Sequence, residues 1–267
     1  MKTSILKHNF DTNHKTLVIC CAAQSEFDRQ EGGRFEWVKF FKDTSVKTLH
    51  LRDHFNSYYM GNWYDESGNV IEGGVNSHVE FLFKIIEDSG CDRVIMTGAS
   101  LGAFAAVLYG VLLDVDCVMA FNAQTYISKK SVAFSRLACL AFDCATPEDT
   151  ESYFDLAKLD YEKFNGKVYY HWGTDRVDVE YREHMEEFCK KHPHLGGRNT
   201  ENSTDDAKIH IQNHGIYAHG NLCGRLKKLG QLAMLFERDG KILTIQQELD
   251  ALRKELSDMD DESGHYR

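Results

Sequence analysis

Residues 98–102, Gly-Ala-Ser-Leu-Gly, join a short apolar run, Arg93-Val94-Ile95-Met96-Thr97, to an alanine-rich stretch from Gly102 to Leu113. Buried-type residues followed at once by small ones predict a strand that turns sharply into a helix packed close against it. Gly98, Gly102, Ala103, Ala105 and Ala106 supply the clearance that such packing needs. On so tight a turn Ser100 is pushed out at the carboxyl edge of a sheet, where its hydroxyl can meet a substrate. The plainer alternative is a strand-turn-helix whose glycines serve the turn alone. Neither phosphate-binding pattern fits. A P-loop needs Lys and Ser/Thr after its last glycine, where Ala103-Phe104 stand, and the dinucleotide fingerprint needs glycine at Ser100.

The rest of the chain supports a sheet around this turn. Thr16 to Ala22, Val46 to Leu51, Asp116 to Phe121, Lys167 to Trp172 and Lys208 to Gln212 read as strands. Helical spacing marks Phe35–Phe41, Val75–Asp88 (stopped by Gly90), Glu180–Lys191 and Leu222–Phe236. Asp53 to Gly68 holds too many turn formers for regular structure, and His192 to Asp206 is a polar loop. Strands alternating with helices predict an α/β fold, a mainly parallel sheet doubly wound by helices, whose ligands sit beyond the carboxyl ends of the strands. One domain over residues 1–240 is expected. Within it, an insertion of about 123–165 carries two helical stretches, Lys130–Phe142 and Pro147–Lys158, placed to lie over the catalytic edge as a small lid.

Composition narrows the partners. A net charge of −10 argues against nucleic acid or an anionic membrane surface. No stretch approaches the roughly 20 apolar residues of a membrane span, and Met1 to His14 has no apolar leader segment. The eight cysteines lie on apolar or helical stretches without a CxxC pair, so reduced thiols and a cytoplasmic location are expected. His192, His194 and His210 lack the spacing of a metal site. Neither metal nor cofactor is expected.

An alcohol near neutral pH is a poor nucleophile, so Ser100 needs a base and a carboxylate to orient that base. Asp175 follows the strand ending at Trp172, with Asp178 as the alternative. His214 and His219 follow the strand ending at Gln212, and His219, at the entry to the next helix, leaves a loop long enough to fold back over the serine. The order Ser, Asp, His, each after a successive strand, is the chain order of one fold.

Ser100 in its GxSxG turn, Asp175 in Gly-Thr-Asp and the late histidine resemble the α/β-hydrolase superfamily across residues 15 to 237. That resemblance implies an α/β-hydrolase-like sheet and a serine esterase working through an acyl-enzyme. It also implies an oxyanion hole made by the Leu101 N–H and a second N–H, from Ala23 or Gln24. Here Cys21-Ala22-Ala23-Gln24-Ser25 replaces the common His-Gly-Gly-Gly loop. Cys117–Thr125 and the Trp63–Gly68 loop also resemble hydrolase-like proteins of bacterial surface-glycan assembly, which implies an acylated carbohydrate as substrate and a role in polysaccharide biosynthesis. An acyltransferase would use the same three residues, and a catalytically silent binding or assembly protein is a further alternative.

Two features stand outside that triad. The aromatic run Phe55, Tyr58, Tyr59, Trp63 and Tyr64 is suited to stacking on sugars, lining an acyl pocket or packing on itself. Ile242, Ile245, Leu249, Leu252 and Leu256 form a coiled-coil seam within a C-terminal segment, 241–267, that either folds onto its own domain or makes a homodimer.

Overall fold

The computed structural model describes residues 5–23, 35–53, 55, 57–128, 141–198, 207–216, 222–245 and 247–254. Eight strands form one sheet: β1 (Leu6–Asn9), β2 (Thr16–Cys21), β3 (Lys47–Leu51), β6 (Arg93–Ala99), β7 (Cys117–Phe121), β8 (Lys167–Trp172), β9 (Gly196–Arg198) and β10 (Ile209–Asn213). Their order is β1-β3-β2-β6-β7-β8-β10-β9. Only β1 runs antiparallel to its neighbour, with Leu6 opposite Leu51. Two short strands, β4 (Trp63–Tyr64) and β5 (Val70–Ile71), pair apart from this sheet.

Every residue of β2 and β7 is buried, the signature of strands covered on both faces. One face carries α2 (Gly74–Ser89), α3 (Leu101–Leu112) and α5 (Arg176–Lys191), whose Leu82, Phe104 and Met185 join the larger core. The other carries α1 (Val38–Phe41), α6 (Leu222–Lys228) and α7 (Gln231–Arg238), around Phe41, Leu226 and Phe236. Burying each such side chain contributes about 1.5–3 kcal/mol before entropy is counted. At the end of α7, Gln212 Nε2 donates to Asp239 Oδ2 at 3.1 Å, and the Cys117 thiol and Arg93 donate to the carbonyls of Asp239 and Gly240.

Several boundaries differ from the sequence expectation. The helix expected over Phe35–Phe41 is confined to Val38–Phe41, because Trp37 takes a left-handed φ of 67° at its start. The single helix expected over Leu222–Phe236 is two, broken at Gly230, where φ is 70°. α5 begins at Arg176 rather than Glu180, with Asp175 as its N-cap. The loops expected to be irregular hold β4 and β9.

Between β7 and β8, α4 (Pro147–Tyr153) is opened by a capping box from Thr146 to Asp149, and a 3-10 turn follows at Leu156–Lys158. Phe154 and Leu156 are buried, and Asp149 Oδ1 accepts the Val75 N–H at the start of α2, at 3.3 Å. Asp149, Phe154 and Leu156 thus anchor this stretch to the domain, whereas Pro147, Glu148, Glu151, Ser152 and Lys158 are exposed. Residues 129–140, which hold most of the other expected helix, lie outside the described residues.

The aromatic loop packs on itself. Tyr58, Tyr59 and Trp63 are buried, and Tyr59 donates to the carbonyls of Ala22 and Leu51. Of the C-terminal seam, Ile242 is covered by its own domain, whereas Ile245, Leu249 and Leu252 are exposed and Leu256 lies outside the described residues. The seven described cysteines are free thiols, and among the described residues no helix is long and apolar enough to cross a membrane.

Candidate active site

Ser100 stands between β6 and α3 with φ 52° and ψ −119°, a conformation that L residues avoid and that costs on the order of 1–3 kcal/mol. The neighbouring backbone holds it there. Its N–H donates to Phe121 O at 2.8 Å, and its carbonyl accepts the N–H groups of Ala103 and Phe104. The two glycines are needed for the turn. A Cβ on Gly98 would lie 2.2 Å from Gly102 O, and one on Gly102 would lie 2.3 Å from Cys21 O. The Ser100 side chain does not cap α3, although it occupies the cap position.

The same close approach lays the end of β2 across the first turn of α3. Leu101, at the first helical position, keeps an N–H outside the helix's own ladder. The Ala23 N–H, a candidate second oxyanion donor, is already engaged: it donates to Glu36 Oε2 at 2.9 Å. Burial pushes the Glu36 carboxyl above its ordinary range, against the opposing pull of that N–H. Gln24, the other candidate donor, lies outside the described residues.

The two candidate acids are held differently. Asp175 Oδ1 accepts the Val177 N–H at 3.0 Å, which caps α5 and leaves a half-buried carboxylate beside the end of β8. Asp178 is fully buried, and its Oδ2 accepts Asn122 Nδ2 at 2.6 Å and the Gly173 N–H at 3.1 Å. It braces the ends of β7 and β8. Asn122, next to Phe121, has a left-handed φ of 52°.

Of the two histidines, His219 lies outside the described residues. His214 Nε2 lies 3.0 Å from His171 Nδ1, and His171 Nε2 lies 3.8 Å from Asp239 Oδ2. That last separation is too long for a hydrogen bond. Nor is it an ion pair, because burial above all, with His214 and Arg238 nearby, holds His171 neutral. His171 Nδ1 and His214 Nε2 share one proton, donated by whichever of the two ring nitrogens carries it. Burial also lowers the His214 pKa. Of the three histidines whose spacing does not fit a metal site, His210 Nε2 donates to Ala207 O, His192 stacks on Phe188, and His194 pairs with Glu162. Among the described residues, no group of His, Cys, Asp and Glu is arranged to hold a metal ion.

Sequence reasoning passed over Glu36, Asn122 and His171. Only Asn122, the first polar residue after a buried strand, carried a local signal.

No protein-family model matches the sequence, and no curated protein matches it. Solved structures do match. The capsule O-acetyltransferase of Neisseria meningitidis serogroup A aligns over 85% of this chain and 89% of its own, with 11% identity and a TM-score of 0.55. An α/β hydrolase, MGS-MChE2, from the metagenome of Mar Chica lagoon sediments aligns over 88% of this chain and 95% of its own, with 15% identity and a TM-score of 0.50. In the glycosylation-associated Gap123 complex of Streptococcus agalactiae, 88% of this chain matches 44% of the other, with 12% identity and a TM-score of 0.55. The fold is α/β-hydrolase-like.

Proposed function

We propose that this chain is an acyl-transfer enzyme of the serine hydrolase type. The observation that carries this reading is the backbone of Ser100, strained at φ 52° and fixed by two glycines that tolerate no side chain. His219 takes the Oγ proton as Oγ bonds to the carbonyl carbon of an ester, and the Leu101 N–H supports the developing oxyanion. The proton then passes to the departing alkoxide. The acyl-enzyme is released by water, whose proton returns through His219 to Ser100.

His219 is assigned as base because His214 has its Nε2 committed to His171. Asp175 is assigned as the orienting acid because one oxygen is anchored on Val177 at the strand end, whereas Asp178 serves as a buried brace. An ester, and an acylated carbohydrate in particular, is the substrate we favour.

O-acyltransfer to a hydroxyl is the second reading. It is favoured by the fold shared with a capsule O-acetyltransferase, one structure of which is described in complex with CoA. It differs only in which hydroxyl releases the acyl group. The contact between Ala23 and Glu36 favours a third reading, a silent assembly component. The exposed Ile245, Leu249 and Leu252 support a homodimer through the C-terminal segment.

Fluorophosphonate labelling of the wild type and of Ser100→Ala tests the enzyme reading. Covalent capture in the wild type alone is expected, and no capture in folded protein would overturn it. With a 4-nitrophenyl ester and an added sugar, acyl sugar among the products marks transfer, and free acid alone marks hydrolysis.

A further inference from the structure

A cleft of about 740 Å³ opens where β2, β6 and β7 end, on the face that carries α1 and α6. Ala23, Ala99 and Asn122 line it, so it adjoins the strand ends that hold the serine turn. A volume of this size suits a small organic molecule.

Its walls divide into two chemistries. Phe35, Trp37, Phe40, Leu222 and Leu232 make an apolar side. The Trp37 ring sits in an aromatic cluster, 5.7 Å from Phe121 and 5.8 Å from Phe236. Its indole Nε1 is buried with no hydrogen-bond partner, a donor with nothing to meet. Against this side, three exposed lysines, Lys7 from β1, Lys39 from α1 and Lys227 from α6, line the same cleft. Glu36 is the one acidic side chain among the described lining residues, and its carboxylate is held by the Ala23 N–H. In a chain of net charge −10, such a concentration of cations is a local reversal of sign. Cations from three separate elements around an apolar floor favour a ligand with an anionic head and an apolar body.

We infer that this cleft is a binding site for a phosphomonoester with an apolar or aromatic body, the body against Trp37, Phe40 and Leu222 and the phosphate at Lys7, Lys39 and Lys227. That the bound molecule serves as substrate rests on the acyl-transfer reading; that it binds does not.

The test is calorimetric titration of the full chain with 1-naphthyl phosphate and with 1-naphthol, which share a ring and differ in the head. The phosphate is expected to bind about ten-fold more tightly or better. That margin should shrink as salt rises from about 0.05 M to about 0.5 M, since salt screens exposed charges. In the variant Lys7→Gln/Lys39→Gln/Lys227→Gln, whose changes lie on exposed side chains and whose fold is checked by its melting curve, the two probes should bind alike. Trp37→Phe, which leaves a smaller ring for the naphthyl body that the probes share, should weaken both without changing their ratio. Equal affinity in the wild type, absence of binding by either probe, or a preference that survives the triple variant would overturn the inference. Ser100→Ala should bind like the wild type. Binding retained in a protein that fluorophosphonate does not label would defeat the catalytic reading and leave the site standing.

Discussion

The Ala23 N–H and the Glu36 carboxylate are joined by a 2.9 Å hydrogen bond where the chain leaves β2, on a backbone group that the sequence offers as a candidate second oxyanion donor. Burial raises the Glu36 pKa, so the fold disfavours its ionised form. A raised pKa in the folded state means stability that is present at low pH and lost as pH rises through the folded value. Glu36→Gln keeps an acceptor for Ala23 and removes the charge. Its urea midpoint should exceed that of the wild type at pH 7 and coincide with it near pH 4. A midpoint lowered at pH 7 would contradict this account.

Strain at Ser100 predicts a trade between stability and chemistry. Glycine adopts φ 52° without the Cβ penalty, so Ser100→Gly should unfold at higher urea, by about 1 kcal/mol, while losing fluorophosphonate capture entirely. Ser100→Ala should lose capture without that gain.

The two aspartates should separate cleanly. Asp178→Ala leaves the Asn122 amide and the Gly173 N–H without their buried acceptor, and a loss of about 2–4 kcal/mol is expected by chemical denaturation. Asp175→Asn keeps an oxygen for Val177, so the stability change should stay under about 1 kcal/mol. Ester turnover should nevertheless fall by about 10²-fold or more. The reverse pattern would move the orienting role to Asp178.

His171 and His214 predict an acid-sensitive fold. Both pKa values are lowered, chiefly by burial, with Arg238 opposing protonation and Asp239 favouring it at His214. His78, pushed down to about 3 by burial, acts in the same direction. The unfolded chain binds protons first, so stability should decline as pH falls below about 6.5, the ordinary histidine value. His171→Gln should flatten that decline in a series of melting curves. An unchanged slope would remove His171 from the account.

Exposed Ile245, Leu249 and Leu252 predict self-association. Leu249→Glu/Leu252→Glu should halve the mass seen by size exclusion with light scattering, and an unaltered mass would defeat the pairing.

The strands buried on both faces were legible because each is a continuous apolar run, as in Leu17 to Cys21. β1 was not, because Leu6-Lys7-His8-Asn9 buries only Leu6 and borrows its register from β3. Gly230 broke an otherwise unbroken helical pattern, a local backbone choice that periodicity does not show. Asp175 follows β8 directly, which marks it in the sequence as a candidate acid; its N-cap bond to Val177 uses the same position and leaves that assignment open. The contact between His171 and His214 depends on the register of β10 against β8, where Gln212 lies opposite His171, and no local pattern encodes it. Glu36 reaches Ala23 across 13 residues, a loop closure that sequence spacing leaves open.

Asp239 and Gly240 are stitched to β6 through Arg93, to β7 through Cys117 and to β10 through Gln212, just before the chain departs as its final segment. A pull applied at the carboxyl terminus is thereby shared among several strands at once instead of peeling one from the edge. Tethering the protein by that end for mechanical or surface-display work therefore loads several strands together.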